Sequence, residues 1–119
     1  MFCEARFAEI VISEGVTSIG THTFRQLSDV ESIVLPSTIT AFGTGAFEEC
    51  TGELIAYCDI PSAVAPEYGA FFNANFSRIT LEEGVTSIGD YAFYQCSGVS
   101  SVTIANSVQS IGLEAFLGC

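Results

Sequence analysis

The heptapeptide EGVTSIG occurs twice, as Glu14–Gly20 and as Glu83–Gly89, 69 residues apart. That offset is three times 23. A related stretch, Val102–Cys119 (VTIANSVQSIGLEAFLGC), follows Ile79–Cys96 (ITLEEGVTSIGDYAFYQC) at an offset of 23. A fixed period in this range marks stacked supersecondary units, so it restricts the chain to a repeat architecture before any single residue is considered.

Aligning the copies produces columns. Ile10, Ile33, Ile79 and Val102 form the first, and Ile12, Leu35, Leu81 and Ile104 follow two residues on. This spacing of two puts both side chains on one face of a short strand. Turn-prone residues come next, such as Ser13-Glu14-Gly15 or Pro36-Ser37. A second extended piece carries Val16, Ile39, Val85 and Val108, then Ile19, Phe42, Ile88 and Ile111. Each of the latter precedes a glycine (Gly20, Gly43, Gly89, Gly112), expected to serve a left-handed or tightly packed backbone. Phe24, Phe47, Phe93 and Phe116 close the unit, with Ala46, Ala92 and Ala115 before them and Leu27, Cys50, Cys96 and Cys119 three residues after. The short segment before each Phe reads as one helical turn, and the rings are expected to stack into an internal spine.

One such unit cannot bury its apolar side alone, whereas stacked units can. The expected fold is therefore a β-rich α/β solenoid of about five stacked repeats, with parallel strand ladders and short helical turns. It forms a single domain over residues 1–119. Neither end carries a polar capping unit, so the chain reads as part of a longer array whose bare ends favour end-to-end association.

The third unit, TGELIAYCDIPSAVAPEYGAFFNANFSR between Cys50 and Ile79, departs from the pattern. Leu54, Ala56, Cys58 and Ile60 alternate as an inward strand face, with Cys58 in the column of Leu35 and Leu81. Val64-Ala65-Pro66 is expected to replace the Ile-Gly pair, and Phe71 to continue the Phe column. Tyr57, Tyr68, Phe71, Phe72 and Phe76 gather here. An irregular repeat is either a tolerated variation or a partner-contacting loop with aromatic anchors.

The motifs Val102-Thr103-Ile104, Ser110-Ile111-Gly112 and Ala115-Phe116-Leu117-Gly118-Cys119, with their counterparts in the other copies, resemble the BspA-like (treponemal-type) leucine-rich repeats. The resemblance runs from Phe7 onward and includes the GELIAYCDIPS–GAF variant unit. It implies a leucine-rich repeat solenoid, and a bacterial cell-surface or secreted protein acting in adhesion. The implied partners are host matrix or other cell-surface proteins or glycoproteins. It brings no catalytic residues. A structural spacer presenting another domain is the alternative.

Charge narrows the partners further. Fourteen acidic residues against 3 arginines and no lysine leave a net charge of −11. Such a surface repels phosphate backbones and anionic lipid, so no nucleic acid is expected. No apolar run approaches the ~20 residues of a membrane span, and no direct membrane insertion is expected. The start, MFCEARFAEIV, has no basic segment followed by an apolar core.

Little points to catalysis, a cofactor or a metal. No CxxC occurs among the five cysteines. Cys50, Cys58, Cys96 and Cys119 read as small core residues. Cys96 and Cys119 lie on adjacent rungs, where parallel side chains work against a disulfide. Cys3 is the candidate reactive thiol. His22, the single histidine, has no marked partner and reads as a surface residue. Glu48-Glu49 and Glu82-Glu83 read as solvated turns rather than a calcium loop. Asn75-Phe76-Ser77 matches a glycosylation sequon by chance.

The outward side of the main ladder is the candidate partner-binding surface. Val11, Val34, Tyr57, Thr80 and Thr103 are expected to stack in one row, with Glu9, Ser32, Ile55, Arg78 and Ser101 in the next. β-branched residues suit any strand. As a binding patch, Val34, Ile55 and Tyr57 would be an apolar centre with a polar rim.

Overall fold

A computed structural model describes residues 8–27 and 30–119. The strands, in chain order, are β1 (Ala8–Val11), β2 (Ser18–Ile19), β3 (Val30–Leu35), β4 (Ala41–Phe42), β5 (Thr51–Ala56), β6 (Asn75–Leu81), β7 (Ser87–Ile88), β8 (Ser101–Ile104) and β9 (Ser110–Ile111). They coil into a solenoid. The main ladder is a five-stranded parallel sheet in the order β1-β3-β5-β6-β8, one strand per rung. The shorter second ladder is split in two, β2 pairing with β4 and β7 with β9.

The strand columns hold across rungs one, two, four and five: Ile10 pairs with Ile33, and Ile79 with Val102. Rung three enters two residues earlier than the repeat alignment predicts. Leu54 stands between Ile33 and Ile79, and Ala56 between Leu35 and Leu81. Cys58 is therefore not in the Leu column, although it is buried beyond the strand. The Ile-Gly position is filled by Ile60-Pro61, since Ile60 bridges to Ile88. Val64, which the alignment puts there, lies 90% exposed in the loop. The physical reason is a shortcut. Rung two takes seven steps from Leu35 to Phe42, whereas rung three takes four from Ala56 to Ile60.

The expected helical turns are absent. Among the described residues the one helical segment is a single 3-10 turn, Pro66–Tyr68, in the irregular unit. Around the spine the backbone instead visits the left-handed region, on both sides of Phe24 at His22 (φ 56°) and Gln26 (φ 65°) and of Phe93 at Tyr91 (φ 60°) and Gln95 (φ 61°), but only after Phe71, at Asn73 (φ 58°), since Gly69 before it has φ −70°. This turns alternate N–H groups outward to the next rung. His22, Phe24 and Gln26 donate to the carbonyls of Thr44, Ala46 and Glu48 at 3.0, 2.8 and 2.8 Å. Thr23 and Arg25, between them, close turns within their own rung. An α-helix would consume those N–H groups internally and leave the rungs unlinked. Each left-handed non-glycine costs about 1–2 kcal/mol, and a cross-rung hydrogen bond returns about 1 kcal/mol.

Of the glycines after the Ile column, Gly43, Gly89 and Gly112 serve close approach to the backbone of the preceding rung. None of Gly20, Gly43, Gly89 or Gly112 has positive φ; the left-handed glycines are elsewhere, as at Gly15 (φ 103°) and Gly84 (φ 104°). The core is the Phe spine. Phe24, Phe47, Phe71, Phe93 and Phe116 stack in order, with centroids 5.2, 5.0, 5.0 and 5.3 Å apart. Ile33, Leu54 and Ile79 pack beside it, fully buried.

Candidate functional site

Alternation along the main strands turns Ile33, Leu35, Leu54, Ala56, Ile79 and Leu81 inward and leaves the intervening residues facing out. Pairing sets the outward rows. One is Val11, Val34, Ile55, Thr80 and Thr103; the next is Glu9, Ser32, Glu53, Arg78 and Ser101. Six of the seven candidate residues, all but Tyr57, thus fall on the face. Ile55, expected beside Ser32 and Arg78, joins the Val34 row, and Glu53 takes its place. Tyr57 is not on the ladder at all. Its N–H bonds to Leu35 O at 3.0 Å, which places it just past the strand end, where Pro36 and Glu82 begin the neighbouring turns. The two-residue shift of rung three accounts for both differences. The face grades from apolar (Val11, Val34, Ile55) to polar (Thr80, Thr103) along the solenoid, with Val11 61% exposed.

The remaining candidates resolve into local structure. His22 Nε2 and Arg25 Nε each lie 3.6 Å from Glu48 Oε1, a surface ion pair for Arg25 with the imidazole beside it. Glu49 accepts from Gln26 Nε2 at 2.7 Å, and Glu83 from the Asn106 N–H at 3.2 Å. Among the described residues no group of three or more His, Cys, Asp or Glu side chains is arranged to hold a metal ion.

Cys3 lies outside the described residues. The four described cysteines are free thiols. Cys50, Cys96 and Cys119 each donate to the carbonyl of the Phe one rung earlier: Phe24, Phe71 and Phe93, at 2.6, 3.2 and 3.2 Å. Burial raises Cys50, and raises Cys58 to about 11. Cys119, expected in the core, is exposed. The neighbouring Cys119 and burial hold Cys96 protonated, and the Cys96 thiol beside it lowers Cys119 to about 7. Among these four, Cys119 should therefore react first with a maleimide near neutral pH, and Cys50, Cys58 and Cys96 only on unfolding. Peptide mapping after a short pulse checks this; early labelling of Cys58 would contradict it.

A feature that the repeat alignment does not reveal is a trough beside rung three. Two adjoining cavities of about 470 and 260 Å³ share Thr40 and Pro61. The larger lies between Ser37 and Ile39 on one wall and Glu83 and Gly84 on the other, over Tyr57, Cys58 and Asp59. The smaller is lined by Phe42, Ile60, Ala63, Tyr68 and Ala70, among others. The available signals were the short Ala56-to-Ile60 step and Pro61, which cannot donate to a ladder.

Asp59 bridges this trough to rung four. Its carboxylate accepts from the Thr86 N–H (2.7 Å), the Ser87 N–H (3.3 Å) and the Thr86 hydroxyl (2.9 Å). Burial alone would raise its pKa, but these hydrogen bonds win and hold it below the ordinary 3.8. A depressed carboxylate stabilises the fold above its unfolded pKa, and that contribution fades as pH falls through the folded value. The melting temperature should therefore fall on acidification from about pH 4 downward, and fall less in Asp59→Asn. Parallel curves for the two proteins would remove Asp59 from the account.

Parallel ladders, short rungs and an inward Phe column define a leucine-rich repeat solenoid. The chain belongs to the BspA-type leucine-rich repeat family, whose model matches residues 1–119 as six copies. It is similar in fold to a leucine-rich repeat protein from Bacteroides ovatus ATCC 8483, at 21% identity and a TM-score of 0.53 over 93% of this chain. The match covers 34% of that protein's chain, so this one spans about a third of its length. No curated protein matches it. Repeats of this family are generally non-catalytic and mediate contacts between proteins. No helix among the described residues is long and apolar enough to cross a membrane.

Proposed function

We propose that the chain is a non-catalytic binding module of a bacterial surface or secreted protein, holding a protein or glycoprotein partner on the outward face of its main ladder. The observation that carries this reading is the register of that face. Val11, Val34 and Ile55 stand side by side on three neighbouring rungs, continued by Thr80 and Thr103 and flanked by Glu53 and Arg78. Apolar area bordered by polar and charged residues is the makeup of an interaction surface. The family's role in protein contacts supports the same conclusion. Host matrix proteins and other cell-surface proteins are the partners the reading favours. End-to-end association through Ile104, Ile111 and Leu113, which rung five leaves exposed, belongs to the same proposal.

Biolayer interferometry against a panel of host matrix proteins tests it. Saturable binding is expected, weakened at least about tenfold by Ile55→Asp, the loss that follows from removing about 1.4 kcal/mol at a central contact. Tyr57→Ala, beyond the ladder's edge, should weaken it less. Binding indifferent to Ile55→Asp would move the site off the ladder. No binding to any panel member would favour a spacer that presents another domain.

A further inference from the structure

Rung three breaks the second ladder, and the two walls of the resulting trough differ. The rung-four wall is satisfied. Asp59 takes the N–H groups of Thr86 and Ser87. Ile60 donates to Ser87 O at 3.2 Å and accepts from the Gly89 N–H at 2.7 Å, and Ala63 donates to Asp90 O at 3.0 Å. The rung-two wall is different. Ala41 and Gly43 direct their N–H groups back to Thr17 and Ile19 of rung one. Alternation along the strand then aims the N–H and C=O of Phe42, between them, at the trough. No backbone hydrogen bond joins Thr40–Gly43 to Ile60–Ala63. Ile60, which bridges to Ile88, lines the gap together with Phe42, and the next residue is Pro61, which has no N–H to offer the Phe42 carbonyl. β4 is thus an internal sheet edge with an open main chain.

We propose that this trough binds a short extended peptide carrying a basic residue, which adds its main chain to the edge of β4. Pairing along an open edge supplies affinity that is independent of side chains. The cavity beside β4 is lined by Ala41, Ala63, Ala70 and Ala92, so it admits small apolar side chains. The adjoining cavity is lined by Asp59 and Glu83, whose carboxylates accept from the N–H groups of Thr86, Ser87 and Asn106 and keep their negative charge, and by no cation. On a chain of net charge −11 that end attracts a lysine or arginine. The site is separate from the main-ladder face, so either proposal can fail without the other.

The test is an NMR titration of the ¹⁵N-labelled chain with the peptide acetyl-KAVA-amide. The Phe42 and Ser62 amide signals should shift and saturate, with half-saturation near or below about 1 mM. Acetyl-EAVA-amide and a backbone N-methylated KAVA should bind at least about tenfold more weakly. Ala63→Leu, which narrows the trough, should abolish the shifts. Should that variant fold poorly, Glu83→Gln is the second one, and it should weaken the KAVA peptide alone. Absence of saturation, shifts that leave Phe42 unmoved, or an equal response to the N-methylated peptide would each overturn the proposal.

Discussion

Phe71→Ala should destabilise the fold by about 3–5 kcal/mol, the range for truncating a fully buried aromatic. Phe71 is the crossing point of the spine. It stacks on Phe47 and Phe93, both at 5.0 Å, and meets Phe42 and Phe76 at 5.7 and 6.0 Å. Its ring is fully buried. Removing it leaves a cavity bounded by four other rings, and stacked coils held by cross-rung hydrogen bonds cannot collapse to fill it. Phe116→Ala is the natural comparison. That ring is half-buried and has one stacking partner, Phe93 at 5.3 Å, so its loss should cost clearly less. Urea unfolding of both variants gives the answer. Similar losses would mean that terminal rungs are as tightly coupled as central ones. A small loss at Phe71 would mean that the spine is not the principal source of stability.

The regular rungs were legible because their side chains carry the geometry. The spacing of Ile10 and Ile12, repeated at Ile79 and Leu81, states a strand with one inward face, and the pairing follows it residue for residue. The Phe column was legible even through the irregular unit, since only a large ring fills that position. Rung three was not, because two apolar patterns compete there. Leu54, Ala56, Cys58 and Ile60 alternate over a longer stretch than one rung needs, and alternation alone cannot say which pair faces Ile33 and Leu35. The register was decided instead by Pro61 and by Asp59, whose carboxylate replaces a missing turn as the acceptor for rung four. The turns around the spine failed for another reason. Their left-handed residues are His, Gln, Tyr, Glu and Asn as well as Gly, so no glycine column announces them. The candidate ladder face was recoverable apart from rung three. The trough was not, since it comes from residues that the third coil lacks.

Gly43→Ala should be far more damaging than its single added methyl group suggests, costing about 3 kcal/mol or more. The glycine precedes the turn that carries Phe47, and its N–H bonds to Ile19 O at 2.7 Å, so rung two is drawn tightly onto rung one at this point. A Cβ built there falls 2.6 Å from Gly20 C and Thr21 Cα, and closer still to Thr21 N. These are backbone atoms, which cannot rotate aside as a side chain would, so the rungs themselves must part. Because Gly43 does not have positive φ, its backbone conformation suits alanine, and the whole cost is steric. Gly15→Ala separates this from conformational strain. There φ is 103° and no atom lies within 4 Å of the added carbon, so the expected cost is only the about 1–2 kcal/mol of a left-handed alanine. Gly20→Ala, whose added carbon meets only the Thr23 hydroxyl at 3.0 Å, should be milder still, since that side chain can turn away. Thermal melts of the three variants would rank them Gly43, Gly15, Gly20 from most to least damaged. If Gly15→Ala were the worst, the column glycines would be serving turn conformation rather than the contact between rungs, and the close-packed account of the second ladder would fail.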